Sequence, residues 1–151
     1  MPSEYAFQCE FISTLKYVLG LVYTRLQYRV LPEVKSPGNR HRRLDILLCD
    51  GTQPQFGFEL VVAANQSSFD DHMERADDYC VNHRCSGMYL VNLTNDYNLT
   101  NYYGPEFLQG VTPVHIFFGG GRQGEVEIRY RNNTVSVTIE GGRWSILFDS
   151  M

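Results

Sequence analysis

The sequence lacks any apolar run near the roughly 20 residues that a membrane-spanning helix needs, so no spanning segment is expected. Its opening, Met1-Pro2-Ser3-Glu4, lacks the basic-then-apolar order of a secretory signal, and a longer precursor would carry any such signal outside this chain. Cysteine is sparse, and Cys9, Cys49, Cys80 and Cys85 include no CxxC pair. That spacing suggests neither a zinc site nor a disulfide framework, and the four are read as reduced thiols. Positive charge is not in excess. Thirteen Lys and Arg against 17 Asp and Glu give a formal net charge of −4, which argues against a protein that coats nucleic acid non-specifically but leaves a local basic patch open. No internal repeat is present. The Gly119 to Gly124 stretch lacks the Lys-Ser/Thr and following helix of a phosphate loop, and reads as a hairpin turn. Asn65, Asn92, Asn98 and Asn132 head N-x-S/T triplets, with no sign of the secretory route that glycosylation needs. What remains is 151 residues, 43% hydrophobic and 13% aromatic, which suits one domain (1–151) with a real core and excludes a disordered tail.

The chain is organised around Arg43 to Gly51 and Phe56 to Val62, two short apolar runs that read as a β-hairpin. The Asp50-Gly51 turn signal and Pro54 place the connector at residues 50–54. With the loop centred near Thr52, Asp45 falls opposite Glu59. Like charges facing each other at roughly 4.5–5.5 Å repel, unless a cation lies between them. A hard divalent ion is held by one or two carboxylates plus phosphates, so the pair is either a metal-assisted phosphodiester site or two solvent-facing acids. Strand parity puts Asp45 with Leu47 and Cys49, and Glu59 with Gly57 and Val61. Ile46, Leu48, Phe58, Leu60 and Val62 point the other way. Two apolar faces imply a hairpin covered on both sides, with each acid at the edge of a packed layer.

Before the hairpin, Phe7, Phe11, Ile12, Leu15, Val18 and Leu19 fall at helical spacing from Glu4 to about Leu21, with Ser3 as candidate N-cap. Gln8 and Glu10 lie near the edge of that stripe and face either a neighbouring site or water. Tyr23 to Val34 reads as a short strand. Lys35 to Arg43 reads as a turn followed by a basic cluster. Arg40, Arg42 and Arg43 are candidates for nucleic-acid backbone contact, against a solvated loop or a nuclear-import signal. After the hairpin, Ser67 and Ser68 with Asp70 and Asp71 form a helix-start signature, and the helix runs to about Asn82. Phe69, Met73, Ala76 and Cys80 form its apolar side. His72, Arg75 and Tyr79 recur at i, i+3 and i+7 as a polar stripe, either facing the acids or bridging helix to sheet. Ser86 to Thr94 reads as a buried strand, the region to Thr112 as loop, and strands follow at 114–118, 125–131, 134–140 and 144–148.

This order of helix, strand, Asp-bearing strand, Glu-bearing strand, helix and strand resembles the αβββαβ core of the PD-(D/E)XK, restriction-endonuclease-like superfamily. In particular it resembles the C-terminal nuclease-like domains of Crinkler effectors of fungi and oomycetes. The resemblance rests on Gln8-Cys9-Glu10-Phe11, Pro32-Glu33-Val34, Leu44-Asp45-Ile46, Gly57-Phe58-Glu59-Leu60, and His72-Met73-Glu74-Arg75 with Tyr79. It covers about residues 4–93, and an antiparallel β extension over about 113–148 is similar only in general character. The resemblance implies an α/β (α+β) fold, with Glu10, Asp45 and Glu59 as metal-binding acids and Glu33 as a further one. His72, Arg75 and Tyr79 would be the polar set on the helix beside the active centre.

By the same resemblance the chain is expected to be a DNA-directed endonuclease-like effector domain using Mg²⁺ or Mn²⁺. RNA is the other candidate nucleic acid and a host nuclear protein a candidate partner. Secretion and action in a host nucleus come from the resemblance alone. One departure counts against catalysis: the motif lysine two residues after the glutamate is Val61 here. Loss of one preorganised electrostatic group typically costs about 10²–10³ in rate. A weak nuclease and a degenerate module that binds protein or DNA therefore both follow from the pattern.

Overall fold

The computed structural model describes residues 2–23, 27–96, 110–118, 125–130, 133–140 and 143–150. The elements run α1 (Glu4–Val22), β1 (Tyr28–Ser36), β2 (Asn39–Asp50), β3 (Gln53–Val62), α2 (Gln66–His83), β4 (Gly87–Thr94), β5 (Val111–Phe118), β6 (Glu125–Tyr130), β7 (Asn133–Glu140) and β8 (Arg143–Ser150). All eight strands join one sheet in sequence order. β3, β4 and β5 are parallel neighbours, and every other pairing is antiparallel. The fold is therefore α+β, and its first six elements follow the expected helix, three strands, helix, strand order. The strands of the expected antiparallel extension, β5 to β8, pair antiparallel with one another. β5 runs parallel to β4, and the later strands continue the same sheet.

Two clusters fill the two faces, following strand parity except at Leu44, which the irregularity at Asp45 turns onto the face of Leu47. On one face Ile46, Leu60 and Val91 are buried under Phe7, Phe11, Ile12 and Leu15 of α1. Full burial of each such aliphatic side chain stabilises the fold by about 1.5–3 kcal/mol. Ser3 caps α1, its Oγ accepting from the Ala6 N–H at 3.2 Å. No residue of α1 is buried, however, and Val18, expected in the packed stripe, is 43% exposed. On the other face Leu44, Leu47, Val61, Met88 and Leu90 pack under Phe69, Met73, Ala76 and Tyr79 of α2.

Several expected boundaries move. The hairpin connector shrinks to Gly51-Thr52, with Asp50 paired to Gln53 and Cys49 to Pro54. Pro54 thus enters the ladder, at a register shift where the missing N–H is tolerated. The basic cluster is strand, not loop, since β2 begins at Asn39. α2 starts ahead of the serines: Asn65 is the N-cap, its side chain accepting from the Ser68 N–H at 2.9 Å. α2 ends at Arg84 in the left-handed conformation, with bonds back to Cys80 and Val81 carbonyls. All four cysteines are free thiols. Asn92 is fully buried in β4, so that sequon is closed in the fold, whereas Asn65 is exposed and caps α2 through its Oδ1, and Asn98 and Asn132 lie outside the described residues. Among the described residues, no helix is long and apolar enough to cross a membrane.

Candidate functional site

The β2–β3 register fixes the relation of the two acids. Ile46 pairs with Phe58 and Leu47 with Gly57, so one further step brings Asp45 to Glu59, the expected relation, reached here through the register shift between Leu48 and Cys49. That step is not made as a ladder pair. β2 leaves β3 at Asp45, and the Asp45 carboxylate fills the opening, its Oδ2 accepting from the Leu60 N–H at 2.7 Å. The other side of Asp45 is irregular too. Its β1 counterpart, Glu33, has φ +48°, a left-handed value uncommon for a residue with a side chain. Pairing skips from Pro32↔Ile46 to Val34↔Leu44. Asp45 therefore stands at a fork between strands, and Gln8 of α1 donates to its backbone carbonyl at 3.3 Å.

Glu59 is 4% exposed and lies on the α2 face. His72 Nδ1 is 3.1 Å from its Oε1, and Arg75 Nη2 is 3.5 Å from the same atom. Arg75 Nη2 also contacts both ring nitrogens of His72, at 2.8 Å from Nε2. In the tautomer whose Nδ1–H donates to Glu59, Nε2 is free to accept from Arg75. The i, i+3 spacing of His72 and Arg75 thus puts both on one carboxylate, and the polar stripe faces the acids. The second oxygen, Glu59 Oε2, is buried with no hydrogen-bond partner, and so is Arg75 Nε. Tyr79 belongs to the buried side of α2, at 2% exposure, and not to an open polar stripe. Burial and then the Glu59 charge push its hydroxyl above the ordinary value.

Electrostatics at Asp45 are those of a crowded carboxyl. Burial first and the Glu59 charge second raise it to about 7, with Glu4 adding a further push and the Leu60 N–H opposing. The α1 acid that acts on Asp45 is therefore Glu4. Glu10 is exposed on α1, and Glu33 is engaged by Arg43 at 2.9 Å. Among the described residues, no group of three or more His, Cys, Asp or Glu side chains is placed to hold a metal ion. Of the expected acids, Asp45 feels the Glu59 charge, while Glu10 is exposed on α1 and Glu33 turns to Arg43.

Beside Glu59 a groove of about 440 Å³ is lined by Arg42, Asp71, His72, Arg75 and Asp78, among others. Its cations are already matched: Arg42 pairs with Asp78 at 3.0 Å and Arg75 with Glu59. Arg42 and Arg43, expected on a nucleic-acid backbone, are thus each tied to an acid of this chain, and the Arg40 side chain lies outside what is described.

A second buried polar pair lies on the same face at neighbouring positions of β4 and β5. Asn92 Nδ2 approaches His115 Nδ1 at 3.5 Å, while Asn92 Oδ1 and His115 Nε2 have no partner. The Phe69 ring packs against His115 at 4.8 Å, and burial with the nearby Arg129 charge lowers His115 to about 4. The alternation Val111, Pro113, His115, Phe117 on one face was the sequence signal for this placement. No protein-family model matches this chain, and no similar curated protein or solved structure was found.

Proposed function

We propose that this chain is a nuclease-like domain of restriction-endonuclease type, in which Asp45 and Glu59 bind Mg²⁺ or Mn²⁺ at a DNA phosphodiester. The observation that carries this reading is the crowded pair itself. Asp45 stands at a strand fork with its carboxyl raised to about 7 by burial and by the Glu59 charge, while Glu59 Oε2 is buried without a partner. Hard oxygen donors short of positive charge suit a hard divalent cation. A bound ion would supply Lewis-acid stabilisation of the phosphoryl oxygen and a nucleophilic water.

The chain's own residues prepare the site. The Leu60 N–H fixes one oxygen of Asp45, leaving Oδ1 as the available donor. His72 and Arg75 hold Glu59 Oε1, leaving Oε2. Arg75 lines the groove and is the cation nearest the pair on α2, the natural phosphate contact in place of the absent lysine. The Crinkler-like assignment, with secretion and action on DNA or a nuclear protein of a host, is part of this proposal and rests on the ordered residues alone.

A second reading is favoured by one observation. Val61 stands where the motif has lysine and is 2% exposed in the core, while the Glu59 charge is already balanced by Arg75. That arrangement suits a module of the same fold that binds protein or DNA without catalysis. Incubation with supercoiled plasmid and Mg²⁺ or Mn²⁺ separates the two. Nicking that is lost in both Asp45→Ala and Glu59→Ala supports the enzyme, and no nicking at any metal concentration leaves the binding module. Cleavage of RNA but not of plasmid would change the substrate.

A further inference from the structure

The expected site contains acids and cations, but the atom that joins α1 to it is an amide. Asp45 has no Cα partner in either flanking ladder: the β1 side is interrupted by Glu33 at φ +48°, and the β3 side ends at Ile46↔Phe58. Its peptide plane is therefore held by fewer constraints than that of any regular strand residue. Gln8 supplies one, Nε2 donating to the Asp45 carbonyl at 3.3 Å, while the Leu60 N–H holds the carboxylate at 2.7 Å. The carbonyl and the side chain leave the same Cα, so fixing the first restricts where the second points. The Glu33 side chain pairs with Arg43 at 2.9 Å. Gln8, Pro32 and Glu33 together wall a second groove, of about 450 Å³, beside α1.

We propose that Gln8 is a positioning residue for Asp45, transmitting the docking of α1 through the Asp45 carbonyl to its carboxylate. α1 is the element best suited to carry such an effect, because it lies on the sheet through half-buried Phe7, Phe11, Ile12 and Leu15 and buries no residue fully. The consequence for cation binding rests on the reading under Proposed function, whereas the consequence for Leu60 does not.

The test uses the whole chain with Gln8→Met, which keeps length and helix propensity and removes the donor. Ser13→Ala, an exposed substitution on the same helix, is the control. The readout is the Leu60 amide by NMR, both its proton shift and its hydrogen exchange, together with Mn²⁺ affinity. Loss of one neutral hydrogen bond predicts about fivefold faster Leu60 exchange and about fivefold weaker Mn²⁺ binding. A melting temperature within about 4 °C of wild type shows that Gln8→Met is folded, and Ser13→Ala leaves both readouts unmoved. An unchanged Leu60 amide in Gln8→Met overturns the positioning role, whatever Mn²⁺ does. If Leu60 responds as predicted while the wild type binds no Mn²⁺, the positioning role stands and the cation reading falls.

Discussion

Replacing Asp45 by Asn tests whether this carboxyl is a cost that the fold carries for the sake of a ligand. The folded-state value of about 7 lies above the ordinary 3.8. The unfolded chain therefore releases the proton first as pH rises. Stability associated with the protonated carboxyl is complete below about pH 4 and is lost as pH rises through about 7. At about 1.4 kcal/mol per tenfold change in protonation balance, the full displacement bounds the loss at about 4 kcal/mol. Asp45 is only half-buried, and solvent screening reduces the expected figure to about 1–2 kcal/mol. Asn cannot ionise, and its Oδ1 still accepts from the Leu60 N–H. Asp45→Asn should thus match wild type near pH 4 and melt about 3–8 °C higher at pH 8, measured by calorimetry without divalent ions. Saturating Mn²⁺ should raise the wild type toward the variant and leave the variant unmoved. Equal displacement at both pH values, or a variant less stable at pH 8, would refute the argument that burial and Glu59 make ionised Asp45 unfavourable.

His115 works in the opposite sense. Its value of about 4 lies below the ordinary 6.5, so stability is lost as pH falls from about 6.5 toward 4, and His115→Gln should flatten that limb in the same melting series. Glu59→Gln removes the second cause of the Asp45 shift but not the first, so the Asp45 carboxyl carbon should titrate below 7 yet above the ordinary range by NMR. Cation binding must displace the Asp45 proton. Calorimetry in buffers of different ionisation enthalpy should therefore show proton release on Mn²⁺ binding at pH 6, fading by about pH 9, and no pH dependence of release would exclude Asp45 as a donor. At Gly57 a Cβ would lie 2.5 Å from Met88 Cε and 3.1 Å from Leu44 Cδ2. Met88 is 1% exposed with little room to move, so Gly57→Ala should cost about 1–3 kcal/mol in denaturant unfolding, with partial recovery when Met88→Val is added.

Local signals carried most of the fold because they are local. Alternation of Leu60 and Val61 between two apolar faces announced a sheet covered on both sides, and the clusters under α1 and α2 are those two faces. The register that brings Asp45 to Glu59 needs the irregularity between Leu48 and Cys49 as well as the turn, because the Gly51-Thr52 turn on its own would set Asp45 against Phe58. The i, i+3 spacing of His72 and Arg75 placed both on one helix face, and the fold delivers both to Glu59. What could not be read depended on long-range placement. Whether Glu10 turns toward Asp45 depends on the rotation of α1 over the sheet, and its neighbour in the stripe, Gln8, makes the contact instead. The start of α2 was misplaced because Ser67, Ser68 and Asn65 are all competent caps, and only the geometry of the β3 exit, with Ala63 at φ +55°, selects Asn65. The pairing of Arg42 with Asp78 and of Arg43 with Glu33 joins segments that no local pattern connects.

The valine at position 61 and the arginine at position 75 are two sides of one arrangement. Strand parity puts residue 61 on the same face as Glu59, and α2 covers that face, so a lysine there would have to place its ammonium inside the layer that holds Phe69 and Met73. The apolar side chain lets α2 pack directly on β3, and this packing is what brings the next helical turns, His72 and Arg75, onto Glu59. Against the motif of the proposed superfamily, positive charge would then stand on the helix in place of the strand. The exchange is not neutral in chemistry. A lysine ammonium can lose a proton when buried, whereas a guanidinium cannot under ordinary conditions and acts as a fixed charge and fork-shaped donor. Arg75 can therefore hold a phosphate or balance Glu59 but cannot carry a proton, and Asp45, at about 7, is the group beside it able to exchange one near neutral pH.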